Sequence, residues 1–231
     1  MGLFDIFKKK KKKAEEVTVE IPHAEENTDD TSAVGWDAIT EEFTRVYPGQ
    51  TDPKHYGTIV KWSLGGNDPL DGISIYDGGD YYHFVTYGLT ELYEKQSRNT
   101  ELSGYGYEMT LKLKKAGLED EEAEIRNICG ILQSIARVTF TNNEVFFPNE
   151  FIRTGQTTGM DVNQKSKLTG FIVIKDPTVE TIETFNGRVE FRELVGMTDA
   201  ELLTLKSRDS VAEIYQKLGS DITDWSRDSI V

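Results

Sequence analysis

The sequence predicts an α+β fold: one domain over residues 35–231, with a mixed, mostly antiparallel sheet flanked by helices, behind a disordered charged tail over residues 1–34. Three observations carry that expectation. Strand-like and helix-like segments follow one another without strict alternation, unlike a parallel βαβ sheet. Asn186-Gly187 joins two strand-like runs and is a strong hairpin signal. A long amphipathic pattern near the middle supplies a helix able to cover one face of a sheet.

The tail comes first. Lys8 to Lys13 is an unbroken lysine run, so residues 1–13 carry a net +5. Residues 14–34 carry −7 with no basic side chain. Blocks of like charge repel one another and bury little, so this segment is expected to be disordered. Leu3, Phe4, Ile6 and Phe7 beside the lysines also suggest a short amphipathic segment with weak contact to an anionic membrane surface.

The domain opens at Gly35-Trp36 with a helix. Ile39, Phe43 and Val46 recur at helical spacing and Pro48-Gly49 ends the run. His55 to Trp62 is rich in β-branched and aromatic residues and reads as a strand. Ile73 to Tyr76 and Tyr82 to Tyr87 read as two more strands, separated by the turn Asp77-Gly78-Gly79-Asp80. Tyr105 to Leu113 alternates, with Glu108, Thr110 and Lys112 on the second face, which predicts a half-buried antiparallel strand.

Residues 119–137 carry the longest helical pattern. The acidic first turn, Glu119 to Glu122, suits the positive end of the helix dipole. Ile125, Ile128, Cys129, Leu132, Ile135 and Ala136 form its apolar stripe. A polar loop over 154–167 leads to strands at Phe171–Lys175, Glu180–Phe185 and Arg188–Leu194. Thr198-Asp199-Ala200-Glu201 has the pattern of a capping box and starts a helix. Another runs from Val211 to Leu218, stopped by Gly219, and Ile222 to Trp225 adds a last strand.

Composition narrows the function. The chain of 231 residues has a net charge of −14, and the part beyond the tail carries −12 of it. Such a surface repels nucleic acid and can attract a basic protein. A single cysteine, Cys129, allows no intrachain disulfide and sits in an apolar run as a buried thiol. No stretch is apolar enough to span a membrane, and the apolar start precedes its lysines, unlike a signal peptide. A cytoplasmic location is therefore expected.

The sequence offers little chemistry. Asp68, Asp71, Asp77 and Asp80 lie beside Pro or Gly, as turn aspartates do, and lack the spacing of a calcium loop. The glycine-rich stretch Gly65 to Gly72 has no phosphate-binding motif. His23, His55 and His83 have no nearby cysteine or second histidine of zinc-site spacing. We therefore expect no catalytic residues, no metal and no cofactor. The unusual feature is aromatic: seven of the ten tyrosines, Tyr76, Tyr81, Tyr82, Tyr87, Tyr93, Tyr105 and Tyr107, fall within 32 positions. Tyrosine covers contact area at low entropic cost, so some of these suit a docking face and the others a core.

Longer runs carry a family resemblance. These are Gly35 to Ile39, Ile59 to Asp71, His83 to Tyr93, Ser103 to Leu113, Asp176-Pro177, and Phe191 to Thr198 followed by Glu201-Leu202. In this order they resemble the Suppressor of fused domain. The resemblance implies a single α/β-type domain without known catalysis. The animal relative adds a second domain and clamps a transcription-factor peptide as an extra β-strand, and this chain matches only the first domain. Tyr93 matches a tyrosine of that peptide groove, and Glu101, in a shortened loop, is a candidate acidic partner. Bacterial members of the family are often immunity proteins of secreted toxins. The expected partner is therefore a protein, most concretely a toxin domain, with regulatory sequestration of another protein as the alternative. Tyr93, Glu101, Tyr81 and Tyr105 are the candidate contact residues; the oligomeric state is left open.

Overall fold

A computed structural model describes residues 33–231 of the chain. The expected disorder of the tail and the membrane contact of residues 1–13 lie outside the described residues. Helix α1 runs from Val34 to Val46. Strands β1 (Lys54–Gly57), β2 (Gly72–Asp77), β3 (Tyr81–Tyr87) and β4 (Leu102–Lys114) precede helix α2 (Glu121–Asn142). Then come β5 (Glu150–Arg153), β6 (Leu168–Lys175), β7 (Ile182–Thr184) and β8 (Gly187–Thr198). Helices α3 (Asp199–Thr204) and α4 (Arg208–Leu218) and the two-residue β9 (Ile222–Thr223) close the chain.

The strands form one mixed sheet in the order β1-β2-β3-β4-β8-β6-β5, with β7 on β8 and β9 on β4. Neighbours are antiparallel except where β4 meets β8 and β9, which run parallel to it. Period-two alternation divides the side chains between two faces. On one face Ile73, Ile75, Phe84, Tyr107, Met109, Leu111 and Leu113 pack under the stripe of α2. On the other, α1 covers Tyr76, Val85, Tyr87 and Phe191, while α3 and α4 cover Ile172, Ile174, Val195 and Met197.

Several expectations need correction. The alternation in β4 is as read, but the strand is buried on both faces: Glu108, Thr110 and Lys112 lie at most 1% exposed. They point to the face away from α2, and neighbouring strands and loops supply their hydrogen-bond partners. The strand expected from His55 to Trp62 spans only Lys54–Gly57. Thr58 donates to the Asp71 carbonyl, and beyond it no strand lies alongside; Trp62–Leu64 is a 3-10 turn, and Ile59 is 99% exposed. Helix α2 continues to Asn142, where Asn143 in the left-handed region ends it, because Val138 and Phe140 still pack on the core. Strand β5 was not expected: its side chains are half-buried at a sheet edge and give a weak pattern.

The expected capping box at Thr198 is formed, with Glu201 accepting from the Thr198 amide at 2.8 Å. Asn186-Gly187 closes the β7–β8 hairpin, with Thr184 facing Gly187.

Candidate functional site: an aromatic groove beside Tyr93

One end of β3 and β4 carries a groove of about 300 Å³ between the 61–71 loop, the 88–96 segment and the end of α2. Its walls are largely aromatic. Phe140 sits between Trp62 and Tyr105, edge-on to both, with ring centres 5.9 and 5.4 Å away. Pro69 and Leu89 add apolar surface, and Tyr93 stands at the rim, 41% exposed.

The wall carrying Tyr93 has no regular structure, so side chains must hold it. Glu91 does most of this. Its carboxylate accepts from the Lys95 ammonium at 2.8 Å and from the amides of Gln96, Ser97 and Gly104. Burial alone would raise its pKa, but these donors outweigh burial and hold the carboxyl down at about 2. Lys95 also donates to the Leu102 and Asn186 carbonyls, and Asn186 donates to the carbonyls of Glu91 and Tyr93. The segment is thereby riveted to β4 and to the β7–β8 hairpin.

Gly104 makes the close approach possible. Its φ is +52°, and a Cβ there would lie 2.7 Å from the Leu89 carbonyl oxygen. Below the turn, the buried Glu108 accepts from the hydroxyls of Thr86 and Thr90 and from the amides of Gly88 and Thr90. Lys61 closes the opposite rim, 4.5 Å over the Tyr93 ring and 3.3 Å from Asp71. Its hydrogen bond to the Tyr93 hydroxyl, helped by Asp71, raises its pKa. The lining charges are Lys61 against Asp71, Glu91 and Glu94, so the groove is net acidic.

The four candidate contacts do not come together. Tyr93 and Tyr105 share the groove, Tyr105 half-buried in its wall. Glu101 is exposed at the start of β4 and is not among the lining residues. Tyr81 lies at the opposite end of β3, beside the Tyr47 hydroxyl. That distance is about 20 Å along the strand. Four of the seven clustered tyrosines, Tyr76, Tyr82, Tyr87 and Tyr107, belong to the core. A tyrosine-rich docking face therefore reduces to Tyr93 and Tyr105, joined by Trp62 and Phe140, which sequence reasoning missed. The signal for Trp62 was present: a large aromatic followed by Ser63 and a Gly-Gly pair belongs to a loop more readily than to a strand.

Several other groups singled out in the sequence have partners. Asp68 pairs with Arg137, Asp71 with Lys61 and Asp77 with Lys115. His83 is buried between the Tyr47 hydroxyl at 2.7 Å and Asp176 at 2.9 Å. Burial pushes the Cys129 thiol up to about 12, which keeps it protonated.

Comparison with known proteins gives the family. The family described as Suppressor of fused protein (SUFU) matches residues 66–228. The chain belongs to the Suppressor of fused family. It is 30% identical over 182 residues to the human Suppressor of fused homolog, covering 73% of this chain and 36% of that protein. The mouse homolog matches equally. The chain thus spans about a third of the length of the curated relatives it matches. Among solved structures, the Sufu-Fu complex superposes with a TM-score of 0.72 at 26% identity, over 85% of this chain and 92% of that one. Drosophila Suppressor of Fused gives 0.71 at 28%, over 84% of this chain and 50% of that one. A Neisseria gonorrhoeae homolog shares the fold alone, at 0.54 and 14% over 85% of this chain and 97% of that one. No helix among the described residues is long and apolar enough to cross a membrane.

Proposed function

We propose that this Suppressor of fused domain is a non-enzymatic protein-binding module that receives a polypeptide segment in the Tyr93–Tyr105 groove. One observation carries the reading. The groove has aromatic walls, while three of its ionisable groups, Lys61, Asp71 and Glu91, are engaged in holding those walls and the fourth, Glu94, is exposed to solvent. An enzyme needs a free acid, base or nucleophile at its cavity; a docking site needs fixed apolar anchors with a polar rim.

The most concrete form of the proposal is an immunity protein that neutralises a cognate toxin by direct contact. The excess charge of −12 on the domain and the acidic rim support attraction to a basic toxin domain. The direct experiment co-expresses the chain with a basic toxin domain, sought first among the products of neighbouring genes. Tyr93→Ala with Tyr105→Ala is expected to abolish protection; full protection by a correctly folded double variant would exclude the groove. A regulatory role, sequestering another protein, is the second reading. It is favoured by the relative solved as a Sufu-Fu complex. It predicts a stable partner whose own activity is not toxic to the cell.

A further inference from the structure

On the sheet face turned away from α2, one ammonium and three carboxylates form a largely buried cluster. The Lys112 ammonium lies 3.2 Å from Asp176 Oδ1, 2.9 Å from Glu193 Oε2 and 2.6 Å from Asp221 Oδ2. Asp176 and Glu193 are fully buried, whereas the Asp221 side chain is 23% exposed. The Thr110 hydroxyl donates to Asp176 Oδ2 at 2.6 Å, and the Thr178 amide donates to Oδ1 at 2.8 Å. His83 Nε2 donates to the same carboxylate from the other side. Glu193 differs: Oε2 meets Lys112, but Oε1 has no hydrogen-bond partner among the described residues.

Three carboxylates against one ammonium leave two uncompensated negative charges in a site where only Asp221 reaches solvent. Such an excess is costly, and taking up a proton is the usual relief. Asp176 is the poorest recipient, since its two oxygens already accept from His83, Thr110, Thr178 and Lys112. Asp221 is reached by water. Glu193, central in the sheet between Thr110 of β4 and Ile174 of β6, has an idle oxygen. The titratable groups around it are Lys112 from β4, Asp176 from the loop after β6, Asp221 before β9, Tyr215 from α4 and Tyr47 after α1. His83 from β3 joins through Asp176. Lys112 is the one permanent cation of this set. Burial, reinforced by Asp176, holds the Glu193 carboxyl well above its ordinary value.

What the cluster secures is the C-terminal strand. Strand β9 pairs with β4 over two residues, Ile222 and Thr223, opposite Lys112 and Leu113. Asp221, next to it in sequence, is its ionic anchor on Lys112. We propose that Glu193 carries a proton in the folded protein, and that loss of this proton frees Asp221 and releases β9 from β4. With Glu193 ionised, three carboxylates compete for one ammonium. The one that can leave for water at least cost is the partly exposed Asp221. The cluster is thus a proton-operated latch for the last strand.

Amide hydrogen exchange at Ile222 and Thr223 in the full chain tests this, with rates corrected for intrinsic base catalysis. Release coupled to one proton raises the opening equilibrium by up to tenfold per pH unit between the Glu193 midpoint of the released state and the higher midpoint of the latched state, and levels off above it. Glu193→Gln keeps the side chain neutral and should give a flat profile. Equal slopes in the two proteins, or no pH dependence in the wild type, would overturn the latch. Should the variant fail to fold, the infrared carbonyl band of a buried protonated carboxyl decides. Its presence at neutral pH in Glu108→Gln, which removes the other fully buried glutamate of raised pKa, is expected, and its absence refutes the protonated Glu193.

Discussion

Glu91→Gln tests how the groove is held. The native carboxylate accepts one ammonium and three backbone amides, which lowers its pKa from 4.5 to about 2. At about 1.4 kcal/mol per pKa unit, that shift corresponds to roughly 3 kcal/mol of stability when the group is ionised in both states. The side chain is 12% exposed, so solvent screens the effect only modestly. The sign follows from linkage. A carboxyl with a depressed folded pKa contributes in full above its unfolded value and loses that contribution as pH falls towards the folded one. Glutamine removes the charge and turns an amine towards amides that need an acceptor. Urea denaturation should show a loss of about 3 kcal/mol at pH 7, narrowing to about 1.4 kcal/mol at pH 3. A loss below about 0.5 kcal/mol, or one unchanged with pH, would refute the assignment of Glu91 as the rivet of the groove wall.

Three further outcomes follow from the same contacts. Lys112→Met leaves Asp176, Glu193 and Asp221 without their shared cation and should cost about 3–5 kcal/mol, read as a large fall in Tm. The His83 pKa is lowered, first by burial, so the folded state favours the neutral ring. Its contribution is present above the ordinary histidine value near 6.5 and is lost as pH falls below it, so an NMR titration should find the ring less protonated in the folded protein than a free histidine at the same pH. Cys129, with its thiol held protonated, should resist alkylation in the native protein and react once urea unfolds it.

Much of the fold was legible because local chemistry and tertiary context agree. The stripe of α2, the capping box at Thr198 and the Asn186-Gly187 turn each have a local cause that the finished structure keeps. The failures have one cause in common. Thr58 to Trp62 has the composition of a strand, yet strand structure needs a neighbour, and a sequence does not show where the neighbour stops. In β4, Glu108, Thr110 and Lys112 read as a wet face because polar residues alternate with apolar ones. They are buried because Thr86, Thr90, Asp176 and Glu193, each distant in sequence, complete their hydrogen bonds.

The site was half legible. Tyr93 was proposed from family resemblance and Tyr105 from aromatic content, and the two line one groove. Tyr81 was grouped with them by proximity in sequence, but a seven-residue strand carries its ends to opposite edges of the domain. Phe140 was invisible, because the helix pattern placed it beyond the expected end of α2.

The central claim is that a polypeptide partner docks between Trp62, Tyr93 and Tyr105. Isothermal titration with the partner, comparing Trp62→Ala, Tyr93→Ala and the distant Tyr81→Ala, tests it most directly. The two groove variants should each lose tenfold or more in affinity, about 1.4 kcal/mol or more, while Tyr81→Ala binds as the wild type does. Undiminished binding by both groove variants, or a loss confined to Tyr81→Ala, would contradict the account.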